Sequence, residues 1–347
     1  MSQEKKTFND LKAEVIDLEK CVSCGTCEAV CPVNVIELQD NAPALVGNCI
    51  ECGICYANCP AVSFDEPEME ERIFGRTRKQ NETLTGIYQE VYAARATSDE
   101  IHEKAQDGGV VTALLTQFLN DDGDGVIVAG LEKDKIWVPS PVIAKTREEV
   151  IKAAGTKYTP SPTLVGVKKA VKDEKLGNIA VVGTTCQMRG LSLAMMGSMK
   201  NKRIADSVAL KIGLFCMETF HYDSFMKYLK DKEVDPGRVT KFEIKNGRFY
   251  AWDGEERLHR AKLSRVKPLI RPVCNHCTDF TSEFSDISVG NVGSPAGYST
   301  VLIRNEKGKK ILEAAIKSGL IEAEPIVDFE KGDTLVHKLA EMKKSHQ

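Results

Sequence analysis

Cysteine is the residue type in this sequence whose spacing most directly indicates chemistry. The chain contains 12 cysteines, and eight of them lie in two runs, CVSCGTCEAVCP from residue 21 and CIECGICYANCP from residue 49. Each run has the spacing C-x₂-C-x₂-C-x₃-C-P, which is the ligand pattern of [4Fe–4S] clusters in bacterial ferredoxins. The sequence therefore predicts a redox protein with two such clusters near its N-terminus.

In two-cluster ferredoxins, the fourth cysteine of each run binds the other cluster, and this crossing assigns all eight thiols. The predicted sets are Cys21, Cys24, Cys27 and Cys59 for one cluster, and Cys49, Cys52, Cys55 and Cys31 for the other. Zinc in paired CxxC knuckles is the alternative, but zinc has little use for eight cysteines at this spacing. Alternating apolar residues in the segment 33–46 predict a short hairpin between the two runs.

Four cysteines remain, which is the number that a third [4Fe–4S] cluster requires. Cys186 follows a predicted buried strand and Cys216 ends another, and such positions meet at one edge of an α/β sheet. Cys274 and Cys277 form a CxxC on a loop that could close the site. Two buried thiols beside an unrelated CxxC, or a zinc site that includes His276, are the alternatives that the spacing leaves open.

Composition excludes several classes of function. A formal charge of −3 in 347 residues argues against a general nucleic-acid binder, which would usually be basic. The first residues lack the apolar stretch of a signal peptide, and glycine and proline interrupt the longest uncharged run, 287–303, so we expect no membrane span. We expect a cytoplasmic protein whose cysteines stay reduced.

No GxGxxG follows a predicted strand, and no catalytic triad or carboxylate pair is evident.

The predicted organisation has four parts: a two-cluster ferredoxin domain (1–63), a charged linker (64–87), an α/β core (88–325) and a loosely docked tail (326–347). Strand-like and helix-like segments alternate through the core, which favours a mixed, mostly parallel sheet with an antiparallel addition. We expect the linker to lie along the surface of the next domain. Its acidic residues indicate a solvated segment, with docking to a basic partner as the alternative.

Glycine-rich turns supply candidate anion sites. In the turn that begins at Gln106, Asp107 can cap a helix, and Gly108 and Gly109 would let a diphosphate approach the backbone at the helix N-terminus. A plain glycine-rich helix start is the alternative. The turns before residue 186 and over 290–297 are similar. The segment 257–272 holds six Arg or Lys and no acid, so it could receive phosphates, a polycarboxylate tail or an acidic protein, or could be a solvated face.

Five motifs occur in order along the core: QDGGVVTALL, AAGTKYTPSP, VVGTTCQMRG, RPVCNHCTDF and GNVGSPAGYSTVLIR. In these motifs the chain resembles the family formed by the beta subunits of coenzyme F420 hydrogenases and dehydrogenases, which includes those of F420-reducing hydrogenase and F420-dependent formate dehydrogenase. A ferredoxin module ahead of the core is similar to the F420-oxidising subunit of the methanogen membrane dehydrogenase and to F420-dependent sulfite reductase. The resemblance implies a flavoprotein of methanogenic archaea.

The resemblance also implies cofactors and site residues. It implies FAD in the core, a third [4Fe–4S] cluster on the four remaining cysteines, and F420 as the substrate, with hydride transfer by FAD and no catalytic side chain. The residues carried over are Gln106, Asp107, Gly108, Gly109, Val110 and Thr112 for the flavin nucleotide, Lys157, Tyr158, Thr184 and Gln187 beside flavin or deazaflavin, and Asn291, Gly293 and Ser294 in the same pocket. One departure is Thr185, where the family commonly has proline.

The predicted function is hydride exchange between F420 and FAD, with single electrons passed through three clusters. Deazaflavins exchange hydride and clusters take one electron at a time, so a flavin is needed between them. The basic segment 257–272 would suit the phosphate and glutamyl tail of F420. A polyferredoxin-like electron carrier without F420 catalysis is the main alternative, and an iron–sulfur nucleic-acid protein is a third.

The resemblance leaves the redox partner open among heterodisulfide reductase, membrane dehydrogenase, hydrogenase, formate dehydrogenase and sulfite reductase types. Through such a complex the chain could also lie peripherally on the cytoplasmic side of a membrane. We expect no nucleic-acid partner.

Overall fold

The structure is a computed structural model that describes residues 5–327, Phe329 and residues 334–346. Its N-terminal unit contains three short helices and a hairpin: α1 (Phe8–Leu11), which continues as a π-helical turn (Lys12–Ile16), α2 (Thr26–Val30), β1 (Ile36–Gln39), β2 (Ala42–Leu45) and α3 (Ile54–Ala57). The two strands pair antiparallel, as the sequence predicts. Phe8, Leu11, Val15 and Ile36 pack against the cysteines and form a small core.

The rest of the chain contains eleven further strands in the described residues. They are β3 (Glu90–Ala96), β4 (Gly125–Leu131), β5 (Pro139–Ala144), β6 (Ile179–Thr184), β7 (Val208–Leu214), β8 (Lys241–Lys245), β9 (Arg248–Asp253), β10 (Glu256–Lys262), β11 (Ile287–Gly290), β12 (Ser299–Ile303) and β13 (Ile321–Pro325). Eight of them form one sheet in the order β13-β3-β12-β11-β7-β6-β4-β5.

The large sheet confirms the predicted α/β class. Its four central strands, β11, β7, β6 and β4, run parallel. The strands on both flanks pair antiparallel, so the antiparallel share is larger than the sequence suggested. The parallel centre brings the carboxyl ends of β6 and β7 to the same edge of the sheet.

Helices cover both faces of this sheet. The helices that follow the N-terminal unit are α4 (Glu66–Phe74), α5 (Asp99–Lys104), α6 (Val110–Asn120), α7 (Arg147–Lys152), α8 (Thr163–Lys168, continued by a π-helical turn over Lys169–Asp173), α9 (Thr185–Met196), α10 (Lys202–Ser207), α11 (Tyr222–Asp231), α12 (Glu306–Lys317) and α13 (Leu335–Lys344). Of these, α11 packs on the second sheet rather than on this one. Strand β4 shows the two layers, because Val126 and Val128 pack with α6 and α12 whereas Ile127 packs with α8 and α9. No helix within the described ranges is long and apolar enough to cross a bilayer.

A second sheet, in the order β10-β9-β8, packs on α11. The predicted hairpin turn is confirmed, since Asn246 and Gly247 both adopt left-handed backbone angles, with φ of 51° and 68°. The buried aromatic centre between this second sheet and α11 is formed by four phenylalanines, Phe220, Phe225, Phe242 and Phe249.

The charged segment predicted to lie along the core does contact it, but the segment is helical and partly buried rather than a solvated linker. Asp65 caps α4, and Met69 of that helix is buried against Leu193 and Phe284. The acidic side chains of Glu66 and Glu70 point inward, because arginines lie opposite them. Glu66 and Glu70 therefore pair with the chain's own arginines, whereas Asp65, Glu68 and Glu71 remain exposed.

The predicted loosely docked tail is also corrected. Helix α13 places Val336, Ala340 and Lys343 on one buried face, at the i, i+4, i+7 spacing of an amphipathic helix. Val336 and Ala340 join a cluster with Phe280 and Leu302 of the core. Because a lysine interrupts the apolar residues of this inner face, the amphipathic pattern is not evident in the sequence.

Arg304, at the end of β12, is wholly buried and joins three parts of the core. It donates to the carbonyls of Thr85 (3.0 Å), Ile87 (2.8 Å) and Thr281 (3.0 Å), and to the hydroxyl of Ser288 (2.6 Å). Burial lowers the pKa of Arg304 to about 10, which still leaves the guanidinium charged at neutral pH. Its planar group therefore fixes the chain before β3 against the loop that precedes β11.

We predict that Arg304→Met lowers the free energy of unfolding by about 3 kcal/mol, because several buried acceptors lose their donor at once. Urea unfolding followed by tryptophan fluorescence under anaerobic conditions measures this change. Arg203→Met, at an exposed position, is the control and should stay near the parent protein. A loss below 0.5 kcal/mol in Arg304→Met, roughly the size of an ordinary surface substitution, would contradict this assignment.

Candidate functional site

The eight cysteines of the N-terminal unit surround two separate cavities. The first cavity is lined by Cys21, Cys24, Cys27 and Cys59, and the second by Cys31, Cys49, Cys52 and Cys55. Each cavity thus takes three cysteines from one run and one from the other, which is the crossed grouping that the spacing predicts. We call these the first and second thiol sets.

The arrangement suits a polynuclear cluster better than a single ion. Among the described residues, no three or more His, Cys, Asp or Glu side chains converge closely enough to hold one metal ion. Sulfur atoms spread around a cavity are instead the geometry that a cuboidal cluster needs. His276, which the zinc alternative required, is exposed.

Backbone N–H groups point at the sulfurs in both sets. Ser23 N–H donates to Cys21 Sγ (3.4 Å), and Glu51 N–H donates to Cys49 Sγ (3.4 Å). Both donors have positive φ, 56° and 53°, so the two runs repeat one local conformation. Burial raises the pKa of Cys24 to about 12, hence this thiol loses its proton only when a metal takes its place.

The four remaining cysteines form a third thiol set at the carboxyl edge of the large sheet. Cys186 lies in the first turn of α9 directly after β6, and Cys216 follows β7, the neighbouring parallel strand. Burial raises the pKa of Cys186 to about 12, and the thiols of Cys277 and Cys274 act in the same direction because they lie close by.

Polar donors also surround the third set. Thr219 N–H donates to Cys274 Sγ (3.4 Å), and the hydroxyl of Thr184 lies 3.4 Å from Cys186 Sγ. Thr185, where the resemblance expected proline, places its hydroxyl 3.7 Å from Cys277 Sγ. The departure from the family motif thus offers the set one more hydrogen-bonding group.

The first and third sets are neighbours across the contact between the N-terminal unit and the core. Cys24 is close enough to act on the pKa of Cys186. Leu164 N–H donates to the carbonyl of Cys24 (3.0 Å). Arg271 donates to the carbonyl of Cys21 (2.7 Å) and to the hydroxyl of Ser23 (2.8 Å). The last arginine of the basic segment therefore holds the two units together.

The predicted diphosphate turn lies at the N-terminus of α6. Gly109 is its left-handed N-cap (φ 71°), and no side chain caps the first N–H groups. Gly108 is required for packing, because a Cβ there would lie 2.7 Å from the carbonyl of Ala94. Val110 and Thr112 continue the helix as buried residues.

Asp107 adds an orphan polar atom to this turn. Its Oδ2 is buried without a hydrogen-bond partner in the described structure. Burial raises the pKa of the Asp107 carboxyl. Lys241, Lys245 and Asn291 lie beside this carboxyl and lower its pKa. The Nζ of Lys241 also lies 3.3 Å from the carbonyl oxygen of Gln106. Two lysines and an unpartnered carboxylate oxygen therefore face an uncapped helix end.

The loop 155–162 connects this turn to the third thiol set. At its start Thr156 N–H donates to the side-chain oxygen of Gln106 (3.4 Å). At its end the carbonyl of Ser161 accepts a hydrogen bond from Gln187 (2.6 Å), whose own oxygen accepts from the Thr184 N–H (2.7 Å). Thr184 and Gln187 thus form the capping box of α9 and fix the loop beside Cys186.

Lys157 and Tyr158 have different roles in this loop. Burial lowers the pKa of Lys157 to about 8, and its ammonium donates to the carbonyls of Ala154 and Gly155 (both 3.0 Å). Tyr158 stacks on Phe220, and its hydroxyl accepts from a backbone N–H of β8. Tyr158 therefore anchors the loop from within the aromatic centre of the small sheet.

The three predicted site residues in the loop after β11 do not lie together. Asn291 lies beside Asp107 and belongs with the α6 turn. Gly293 packs against Val336 of α13, and Ser294 exchanges a hydrogen bond with Thr300 (2.6 Å). The latter two hold the loop in place.

The sequence analysis did not identify Lys241 as a site residue, nor the contact of Arg271 with the N-terminal unit. Lys241 and Lys245 lie four residues apart on β8 and so point to the same side of the strand, which is a weak signal for a shared target. Nothing in the sequence links Arg271 to residue 21, some 250 positions earlier.

Comparison with known protein families identifies three matching segments of the chain. Residues 91–168 match the profile described as coenzyme F420 hydrogenase/dehydrogenase, beta subunit N-term, residues 176–329 match the corresponding C terminus, and residues 14–37 match the 4Fe-4S binding domain.

Individual relatives agree with these profiles. The coenzyme F420 hydrogenase subunit beta of Methanosarcina barkeri is 39% identical over 74% of this chain and 89% of its own length. One subunit of the F420H2 dehydrogenase of Methanosarcina mazei is 31% identical over 96% of this chain and 91% of its own length. A chain in the F420-reducing [NiFe] hydrogenase complex of M. barkeri has a TM-score of 0.71 and 38% identity, covering 76% of this chain and 91% of that chain.

We predict that Arg271→Met loosens the contact between the N-terminal unit and the core, because charge-assisted hydrogen bonds of about 1.5–3 kcal/mol are lost. Hydrogen–deuterium exchange of the peptide covering residues 21–25 should accelerate by about tenfold or more, as 1.4 kcal/mol corresponds to a factor of ten. Arg265→Met, at an exposed position in the same basic segment, should leave this exchange unchanged. Equal exchange in both variants would refute the role of Arg271.

Proposed function

The chain belongs to the family of coenzyme F420 hydrogenase/dehydrogenase beta subunits, and from this premise we propose that it is an iron–sulfur flavoprotein which exchanges electrons between F420 and a redox partner. The proposed parts are FAD in the core, three [4Fe–4S] clusters on the three thiol sets, and F420 as substrate. The observation that carries this proposal is the placement of the third thiol set between the α6 turn and the first set.

The three thiol sets support a single electron route. The third set adjoins the loop 155–162 on one side and Cys24 of the first set on the other. The second set lies in the same small unit as the first and is bordered by the exposed side chains of Val33 and Ile50. We propose that electrons pass between core and partner in this order.

The α6 turn fits a flavin nucleotide on three counts. Its free N–H groups and the ammonium of Lys241 would bind the diphosphate. The unpartnered oxygen of Asp107 would accept a hydrogen bond from the nucleotide. When bound, FAD accepts a hydride and releases electrons one at a time, which the clusters require. Lys157 belongs to the loop 155–162, and its ammonium is held by backbone carbonyls. It would place a positive charge toward the reduced flavin.

The basic segment 257–272 is the proposed site for the phosphate and glutamyl tail of F420. Arg271 is occupied by the N-terminal unit, so the remaining lysines and arginines of β10 and the turns after it would supply the positive charge. The similar proteins include a hydrogenase subunit and a dehydrogenase subunit, so the proposed partner is the remainder of such a redox complex. We further propose that 1–63 and 88–325 are the two functional domains, with 64–87 and 326–347 attached to the core.

An anaerobic absorbance spectrum tests the proposal against the polyferredoxin alternative. The reconstituted protein should show flavin peaks as well as cluster absorbance, and reduced F420 should bleach both. Iron analysis should give about twelve atoms per chain, four for each of three clusters. Cluster absorbance without flavin peaks, together with no response to reduced F420, would leave only the electron carrier.

We predict that Lys241→Met weakens FAD binding by about tenfold or more, because the loss of one charge-assisted contact to a phosphate is worth roughly 1.5–3 kcal/mol. Retained flavin, measured by absorbance after gel filtration, and the dissociation constant from titration of the apoprotein report this change. Lys262→Met, on the exposed edge strand of the same sheet, is the matched control. Equal flavin affinity in the two variants would remove Lys241 from the nucleotide site.

A further inference from the structure

Lys343 is a buried cation that has no carboxylate partner among the described residues. It lies on the inner face of α13 and is only 1% exposed. Its ammonium donates to the carbonyl oxygens of Met217 and Cys274, the latter at 3.1 Å. Of the residues that the structure describes, none places a carboxylate within the 4.0 Å ion-pair distance of this ammonium.

A buried ammonium without an opposite charge is expensive, since the desolvation of an ion costs several kcal/mol even in a relaxed protein. Two carbonyl dipoles offset only part of this cost. The two carbonyls identify the neighbourhood, because Met217 follows Cys216 directly and Cys274 is itself a member of the third thiol set. An anion assembled on these thiols would complete the site.

Electrostatics around the third set agree with this position. Burial raises the pKa of Cys216 far above its usual range, and the Lys343 ammonium acts in the opposite direction. Glu218 also lies near enough to respond to Lys343, although burial raises the pKa of its carboxyl. The charge that faces Cys216 from α13 is therefore positive.

We propose that Lys343 is a positioning residue that sets the reduction potential of the third cluster, an inference that rests on the proposed presence of that cluster. Four thiolates give a [4Fe–4S] cluster a net negative charge, and reduction adds one electron. A fixed cation beside the ligands stabilises the reduced form more than the oxidised form, and so raises the potential. Helix α13 thereby makes the cluster nearest the flavin a better electron acceptor.

The test is an EPR-monitored redox titration of the full chain, with dithionite as the reductant. In Lys343→Met the equilibrium constant for reducing one of three clusters should fall by about tenfold, which is a 59 mV downward shift for one electron. Lys343→Arg keeps the charge and should stay near the parent midpoint, as should Lys338→Met at an exposed position of the same helix. Loss of the shifted signal in Cys186→Ser assigns it to the third set.

Iron analysis separates the possible failures. Twelve irons with unchanged midpoints in Lys343→Met would overturn this inference alone. Eight irons in the parent protein would overturn the third cluster of the proposed function and this inference with it. If Lys343→Met holds eight irons and Lys343→Arg holds twelve, the positive charge is needed even to retain the cluster. Eight irons in both variants would show that Lys343 only fills space, and the inference would fail.

Discussion

The close approach of helices α2 and α9 is the constraint on which the proposed electron route depends. A Cβ at Gly190 would lie 2.2 Å from the hydroxyl of Thr26 and 3.5 Å from Cys24 Sγ. Any larger residue would push α2 outward and separate Cys24 from Cys186, which lies one turn before Gly190 on α9. A glycine inside a helix costs about 1 kcal/mol relative to alanine. The chain accepts this cost where two thiol sets must be neighbours.

Buried charges hold the surroundings of this contact in place. Arg189, adjacent to Gly190, lies against the rings of both Phe64 and Phe284 and pairs with Glu66 and Asp279. Because a buried ion is tolerated only with its partner present, Arg189 requires the segment that follows the N-terminal unit to fold back on the core. The same requirement explains why a segment rich in acids is helical and ordered rather than solvated.

Local patterns predicted much of this structure, and long-range pairings account for what they missed. The spacing of eight cysteines predicted two crossed thiol sets, and the turn at Asn246 predicted the hairpin, since both depend on residues close in sequence. The inner face of α13 was missed because Lys343 counts as polar in any pattern, although its position beside Cys274 makes it a core residue. The contact between the Tyr158 hydroxyl and β8 also lies beyond local patterns, because that strand comes more than 80 residues later.

The second and third thiol sets, at the two ends of the series, differ in what borders them. This difference gives the proposed electron route a direction. The third set is flanked by α13, by the loop 155–162 and by the N-terminal unit, and its four cysteines are half-buried. The second set has a rim that includes Val33, 40% exposed, and Ile50, 58% exposed. In the proposed route, this exposed apolar rim is the surface that the second set offers to a partner. The N-terminal unit would then extend the proposed route from the third set to this rim.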